Sequence, residues 1–271
     1  MYFHDLTLAR RLEDAEQAST LDYAQNQALL RPGFACAYAR FGDGLAVYVG
    51  PNSPINRIYG LAMHAPVSEA ILDEVTGFFK ARALAVGVDL CPLADSSLTT
   101  ALLRRGYAIQ SFKNVWWRDL AVPVPDQAMP PHKHLRIEII TPAQRLLWAQ
   151  VVSAGFSGAS VLEDADVVIP LANAHTQATT CFMAWVGDTP AGGGALAIHD
   201  GVAICFSTAT RSAFRRLGVQ YALLHARLRY ASDQGCDLAA VGTTPGTASQ
   251  RNVERLGFSL GYTKATVVAP T

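Results

Sequence analysis

The sequence predicts an α/β protein of two domains, each a mixed, mostly antiparallel sheet flanked by helices. Three observations carry this reading. Short apolar or alternating blocks recur between turn residues, the pattern of strands in meanders. Between them lie longer stretches whose apolar residues return at helical spacing. The same order of parts occurs twice in 271 residues, a length that suits about two domains.

Half of the residues are hydrophobic and 16% are charged, which supplies sizeable cores and argues against disorder. The 22 basic and 22 acidic residues balance, removing the simplest electrostatic case for nucleic acid or an anionic membrane. Neither is expected as a partner. Five cysteines, at 36, 91, 181, 205 and 236, are scattered without a C-x-x-C pair. Neither a disulfide framework nor a metal site is expected, and Cys91, Cys205 and Cys236 read as small buried hydrophobes. No stretch reaches the ~20 apolar residues of a membrane span. No signal peptide is read at the N-terminus, so the expected setting is reducing and cytoplasmic.

The first domain is placed at 1–121. Residues 34–41 and 45–49 read as strands with Asp43-Gly44 as their turn pair, and Ile58 to Met63 as a third strand. Pro66 and Ser68 open a helix with Ile71, Leu72, Val75, Phe78 and Phe79 on one face. Val88 to Cys91 is a short buried strand. A second helix starts near Ser96 and ends at Arg104-Arg105-Gly106, where glycine suits the left-handed position past a helix end. A strand then runs through Trp117. Residues 122–134 hold four prolines and read as an extended linker; His132 and His134 in it read as solvated rather than metal-binding.

The second domain is placed at 135–271. Leu135 to Ile140 alternates as a strand, and Thr141-Pro142 starts a helix. Residues 155–166 read as loop, followed by a helix in which Pro170 must occupy the first turn or cause a bend. Three strands, 181–186, 191–199 and 202–209, form a meander. A helix carries Tyr221, Leu224, Leu228 and Ala231 inward. A strand at 237–241, a helix at 249–256 and a last strand through Val268 complete the domain.

In each half a helix, a strand with Asp-Leu (Asp89-Leu90; Asp237-Leu238), a second helix and a glycine-aromatic pair follow in the same order, which reads as a duplication. The halves differ at one place. Only the second has Arg215-Arg216-Leu217-Gly218-Val219-Gln220-Tyr221 between a strand and a helix. Helix-start N–H groups have no partner within the helix, the dipole favours an anion there, and Gly218 permits close approach. The corresponding stretch His64 to Ala70 has neither arginine pair nor glycine.

Residues 215–220 and Ser249-Gln-Arg-Asn-Val-Glu-Arg-Leu-Gly-Phe258 resemble two motifs of the GNAT superfamily of acetyl-CoA-dependent N-acetyltransferases. The first is close to its Q/R-x-x-G-x-G/A pyrophosphate loop, with Gln220 in the last position. The second resembles the family helix ending in Leu-Gly-Phe. The resemblance covers about 135–270 and, more faintly, 30–119, so the chain reads as a tandem GNAT with a degenerate first half.

The resemblance implies acetyl-CoA as co-substrate and splayed parallel strands at Phe206–Ala209 and Leu238–Val241. Backbone groups of Thr208, Ala209 and Thr210 would meet the pantetheine arm, with an N–H for the oxyanion. Residues Arg215, Arg216, Leu217, Gly218, Val219, Gln220 and Tyr221 would wrap the pyrophosphate, and Ser249 and Asn252 would reach the cofactor from the other side. Direct transfer to a small-molecule amine or peptide is implied. Val253 stands where the family often has its tyrosine acid, so no catalytic residue is assigned. Glu163, Asp164, Asp166 and His199 are candidate bases and Tyr262 a candidate acid, against the reading of each as an ordinary structural or surface group. A catalytically silent CoA-binding module and an interaction protein without cofactor stay open.

Overall fold

A computed structural model describes residues 5–31, 33–123, 133–159 and 161–270. The chain up to Trp116, with Thr243–Pro245 and Leu260–Thr271, forms one unit; Trp117–Gly242 and Gly246–Ser259 form the other. This division departs from the expected 135–271 domain at its end, because the last strand is built into the first unit. Most of the expected linker lies outside the described residues.

The first unit opens with α1 (Leu6–Leu30), capped by the Asp5 carboxylate accepting from Leu8 N–H at 3.0 Å. The sequence reading leaves this helix unassigned. Its inner face mixes Leu8, Leu12 and Ala15 with buried Glu13, Gln17 and Gln27, and those polar side chains blur the apolar period. The strands β1 (Cys36–Phe41) and β2 (Gly44–Val49) form a hairpin in which Phe41 faces Gly44. The turn pair is therefore Gly42-Asp43, one residue earlier than expected. Gly44 belongs to the ladder, where a Cβ would stand 2.9 Å from Ile58, and the Asp43 carboxylate accepts from Ala62 and His64 N–H.

The strand β3 (Arg57–Tyr59) is shorter than expected, since Gly60 and Ala62 take positive φ. The helix α2 (Glu69–Lys80) follows, with Leu72, Val75 and Phe79 inward. The order then runs β4 (Gly87–Leu90), α3 (Ser96–Arg104) and β5 (Ala108–Asp119). Gly106 has the expected left-handed φ of +73°. Ile58, Leu72, Phe79, Val88 and Leu98 form the core.

In the second unit β6 (Leu135–Ile139) precedes α4 (Arg145–Ser157) and α5 (Asp164–His175). The helix α4 extends beyond the expected loop start at Gly155 and is closed by left-handed Gly158. Pro170 lies in the interior of α5, not its first turn. It cannot donate to the carbonyl of Asp166; the Ser153 hydroxyl does so instead, at 2.8 Å.

Next come β7 (Thr179–Val186), β8 (Thr189–His199), β9 (Val202–Thr210), α6 (Val219–Asp233), β10 (Leu238–Thr243) and α7 (Ala248–Arg255). The strand order is β10-β9-β8-β7-β6, antiparallel except for β9 beside β10. Trp148 on α4 anchors the core, with Val152, Met183, Ala195 and Ala209 around it. The strand β11 (Ser259–Val268) returns to the first unit, whose order is β1-β2-β3-β4-β11-β5. It pairs antiparallel with β4 from Ala265↔Leu90 to Val268↔Gly87. Each unit thus has an antiparallel meander leading into one parallel pair, β3/β4 or β9/β10, bridged by a helix. That shared topology carries the duplication read from the sequence.

Candidate functional site

The site grows from the parallel pair in the second unit. Leu238 to Val241 face Val202 to Cys205 in register. Pairing with β10 stops there, while β9 continues to Thr210. The expected splay is therefore shifted: Leu238–Val241 is paired, and the strands part from Phe206 onward.

At that point β9 also carries a bulge. Ala195 faces Phe206 and Gly193 faces Ala209, so Ser207 and Thr208 stand opposite Gly194 alone. Ser207 takes φ +47°, a conformation costly for a side chain other than glycine's. Its hydroxyl accepts from Asn173 Nδ2 at 3.1 Å. Beside it, Arg227 on α6 donates to the carbonyls of Ala195 and Phe206 at 2.9 and 3.3 Å. Burial pushes its pKa down.

Three consecutive glycines of β8 explain the tight packing. A Cβ at Gly192 would lie 2.6 Å from the Ala209 carbonyl, at Gly193 2.6 Å from Trp148, and at Gly194 3.0 Å from Arg227. A glycine run inside a strand is a legible sign of close approach; neither it nor Arg227 and Asn173 figures among the expected site residues.

Beyond the bulge, Thr208 is half-buried while Ala209 and Thr210 are buried. The Thr210 hydroxyl has no hydrogen-bond partner among the described residues. Such an orphan is uncommon in a protein interior and fits a ligand group. The chain then makes a short 3-10 turn at Ser212–Phe214. Arg215 Nη2 donates to the Gly155 carbonyl at 3.3 Å, Arg216 takes φ +66°, and Gly218 takes φ +76° to start α6.

No side chain caps that helix start. In the first unit the Ser68 hydroxyl accepts from Ile71 N–H at 3.3 Å and closes α2. Gln220 Oε1 accepts from Asn252 Nδ2 at 2.9 Å, so the two sequence motifs meet. Val219 is buried, Tyr221 stacks on His225, and Leu217 is half-buried. Ser249 lies exposed in the first turn of α7, whose cap is Thr247. A cavity of 390 Å³ lies elsewhere on the unit, lined by Leu135, Ile137, Ile139, Phe182 and α6 residues including Ala226 and Tyr230, and contains none of the expected cofactor residues.

The catalytic candidates fare differently. Glu163 and Asp166 form the capping box of α5, with Asp166 accepting from Glu163 N–H at 2.9 Å, and Asp164 sits exposed in the same turn. His199 ends β8 opposite Val202, four residues from Ala195, about 13 Å along the strand from the bulge. Tyr262 does not suit the role of acid. It belongs to the first unit, is buried, and donates to Glu13 at 2.6 Å. Burial and the nearby Glu13 push its pKa well above that of an ordinary tyrosine. Val253 is 2% exposed and packs inside.

Parting parallel strands and a helix start without a side-chain cap leave backbone groups of the kind that a phosphate-bearing ligand can use. Residues 146–258 match the acetyltransferase (GNAT) family, and over that stretch the chain carries a GNAT acetyltransferase domain. No curated protein sequence matches the chain.

Among solved structures, the chain is similar to a GCN5-related N-acetyltransferase from Kribbella flavida, at 19% identity and TM-score 0.63, covering 94% of this chain and 96% of that one. A tandem GNAT protein from the clavulanic acid biosynthesis pathway aligns at 13% identity and TM-score 0.60, over 93% and 94% of the two chains. A GCN5-related N-acetyltransferase from Sphaerobacter thermophilus aligns at 14% and TM-score 0.58, over 83% and 73%. These likenesses establish the fold. The family's activity is acyl transfer, with acetyl-CoA as co-substrate. The orphaned Thr210 hydroxyl, the uncapped start of α6 and left-handed Gly218 fit that group.

Proposed function

We propose that the protein transfers an acetyl group from acetyl-CoA directly to an amine of a small molecule or peptide. The observation that carries this is the β9–α6 segment: strands part at Phe206, and the chain runs through Thr210 to a helix start without a side-chain cap. Arg215 and Arg216 offset pyrophosphate charge, and the N–H groups from Gly218 to Tyr221 donate to its oxygens. Thr208, Ala209 and Thr210 hold the pantetheine arm; Ser249 and Asn252 approach from α7, with Asn252 and Gln220 bracing each other.

Acetyl-CoA supplies an activated thioester. The amine lone pair forms the new C–N bond, the C–S bond breaks, CoA leaves as thiolate, and the amine proton passes to solvent. The first half holds no such cofactor, a reading supported by the closed start of α2.

A thermal-shift titration with acetyl-CoA tests the binding half. Stabilisation by RT ln(1 + [L]/Kd) is expected, about 2.7 kcal/mol at a hundredfold excess over Kd. Gly218→Asp places a side chain and a negative charge in the seat and is expected to abolish the shift. A wild-type protein that does not shift would end the reading. The second reading, a silent CoA-binding module, draws on buried Val253 at the usual tyrosine position. Thiol release from acetyl-CoA with a panel of amines separates the two.

A further inference from the structure

We propose that Arg227 is a positioning residue that clamps the β9 bulge, holding in place the backbone against which the thioester lies. Its catalytic consequence rests on the acyl-transfer reading; the clamp itself does not.

Arg227 is 1% exposed. Its Nε donates to the Leu223 carbonyl at 3.0 Å, one turn back on its own helix. Nη1 reaches the Ala195 carbonyl at 2.9 Å and that of Phe206 at 3.3 Å. No carboxylate among the described residues pairs with it. A buried cation without a counter-charge is costly, and an apolar side chain of similar volume in such a place is often neutral or stabilising. Burial of the charge by itself therefore gives no reason for an arginine here.

The carbonyls it chooses do. Ala195 and Phe206 are the last register partners before the bulge, where a ladder loses its own bonds and leaves backbone groups to be held some other way. One guanidinium nitrogen bridges the two strands at that gap. Gly194 makes room, since its missing Cβ would stand 3.0 Å from Arg227 Cζ. Neighbouring Gly193 points instead at Trp148 on α4, so α4 and α6 cover opposite faces of β8. Asn173 fixes the Ser207 hydroxyl as well. The peptide whose carbonyl Arg227 holds also carries the Ser207 N–H. A cationic donor on that carbonyl polarises the peptide and strengthens the N–H as a donor.

The test compares Arg227→Met and Arg227→Lys with the wild type. Met fills the volume without bonding a carbonyl; Lys keeps the charge but lacks the Nε donor that, bonded to the Leu223 carbonyl, fixes the planar group so that Nη1 meets both acceptors. In Arg227→Met, kcat is expected to fall about 100-fold, the cost of a misplaced reacting geometry. Kd for acetyl-CoA, set mainly at the α6 start, is expected to stay within about three-fold. Amide hydrogen exchange across Phe206–Ala209 is expected to quicken about tenfold or more. Lys is expected to restore less than about a tenth of the lost turnover.

Wild-type turnover in either variant, or unchanged exchange at 206–209, overturns the proposal. Should Arg227→Met fail to fold, Arg227→Lys decides by the same readouts. A wild-type protein that neither binds acetyl-CoA nor releases thiol sinks the acyl-transfer reading instead, and the exchange comparison still judges the clamp.

Discussion

Lys264 Nζ lies 2.7 Å from Glu13 Oε2, and both side chains are 1% exposed. One residue is in the last strand, the other in the first helix. The pair continues into a network: Glu16 meets Lys264 and Lys113, Lys113 reaches Asp89 at 3.2 Å, and Asp89 meets Arg57 at 2.7 Å. Tyr262 and Thr266 of β11 add hydrogen bonds to Glu13 and Asp89. Three side chains of β11 thus insert into acceptors that α1 and β4 present, which is why the strand docks in the first unit.

Removing one partner of a buried pair strands the other charge. Lys264→Met is expected to destabilise the first unit by about 3–5 kcal/mol in urea unfolding. Adding Glu13→Leu, which removes the stranded carboxylate, is expected to recover much of that loss. A single mutant within about 1 kcal/mol of wild type would show that the network does not secure β11.

The same network predicts an acid limit. Burial alone would raise the Glu16 pKa, but Lys113 and Lys264 outweigh it and hold the value down at about 2. Asp89 is held below the usual carboxylate range by Lys113, Lys264 and Arg57 against the same penalty. A depressed folded-state pKa means stability that is full above the unfolded value, ~4 for these groups, and lost as pH falls through the folded one. Glu13 has the opposite sign, raised by burial despite Lys264, and adds nothing to this loss. The urea midpoint is expected to drop between about pH 4 and about pH 2, and more shallowly in Glu16→Gln.

These charges also explain what could and could not be seen in the sequence. Helices α2 and α3 and the β7–β8–β9 meander follow period and turn chemistry, because each buries an apolar face against its own neighbours. The first helix breaks that rule with Glu13, Gln17 and Gln27 inward. The destination of β11 depends on partners some 250 positions away, as in the hydrogen bond from Lys264 to Glu16, and no local pattern encodes it. In the site, the Arg215–Tyr221 loop was legible because helix-start physics is local. The bulge was not, since it needs Gly194, Asn173 and Arg227 from three elements.

The proline inside α5 gives a small, sharp test. Pro170 leaves the Asp166 carbonyl without its helical donor, and Ser153 supplies one from α4. Ser153→Ala is expected to cost about 0.5–1.5 kcal/mol, the net worth of one hydrogen bond at a part-buried carbonyl. In a double mutant with Pro170→Ala, which restores the helical N–H, most of that cost is expected to vanish. Equal losses from Ser153→Ala in both backgrounds would show that the hydroxyl is not the substitute donor.

The acidic turn at Glu163, Asp164 and Asp166 offers the last test, on chemistry. The geometry makes two of these carboxylates caps: Glu163 and Asp166 form the capping box, with Asp166 accepting from Glu163 N–H, and all three are exposed. A cap contributes about 1 kcal/mol to stability and nothing to proton transfer. An attacking amine must be the free base, and an unperturbed alkylamine titrates near ~10.4. With solvent as the proton acceptor, kcat/KM is expected to rise with pH toward the acceptor's own pKa, without an inflection in the carboxylate range. Glu163→Gln, Asp164→Asn and Asp166→Asn, singly and together, are expected to lower Tm slightly and leave that profile within about three-fold of wild type. A loss of about 100-fold or more in any one of them, the scale of general base catalysis, would return that carboxylate to the mechanism.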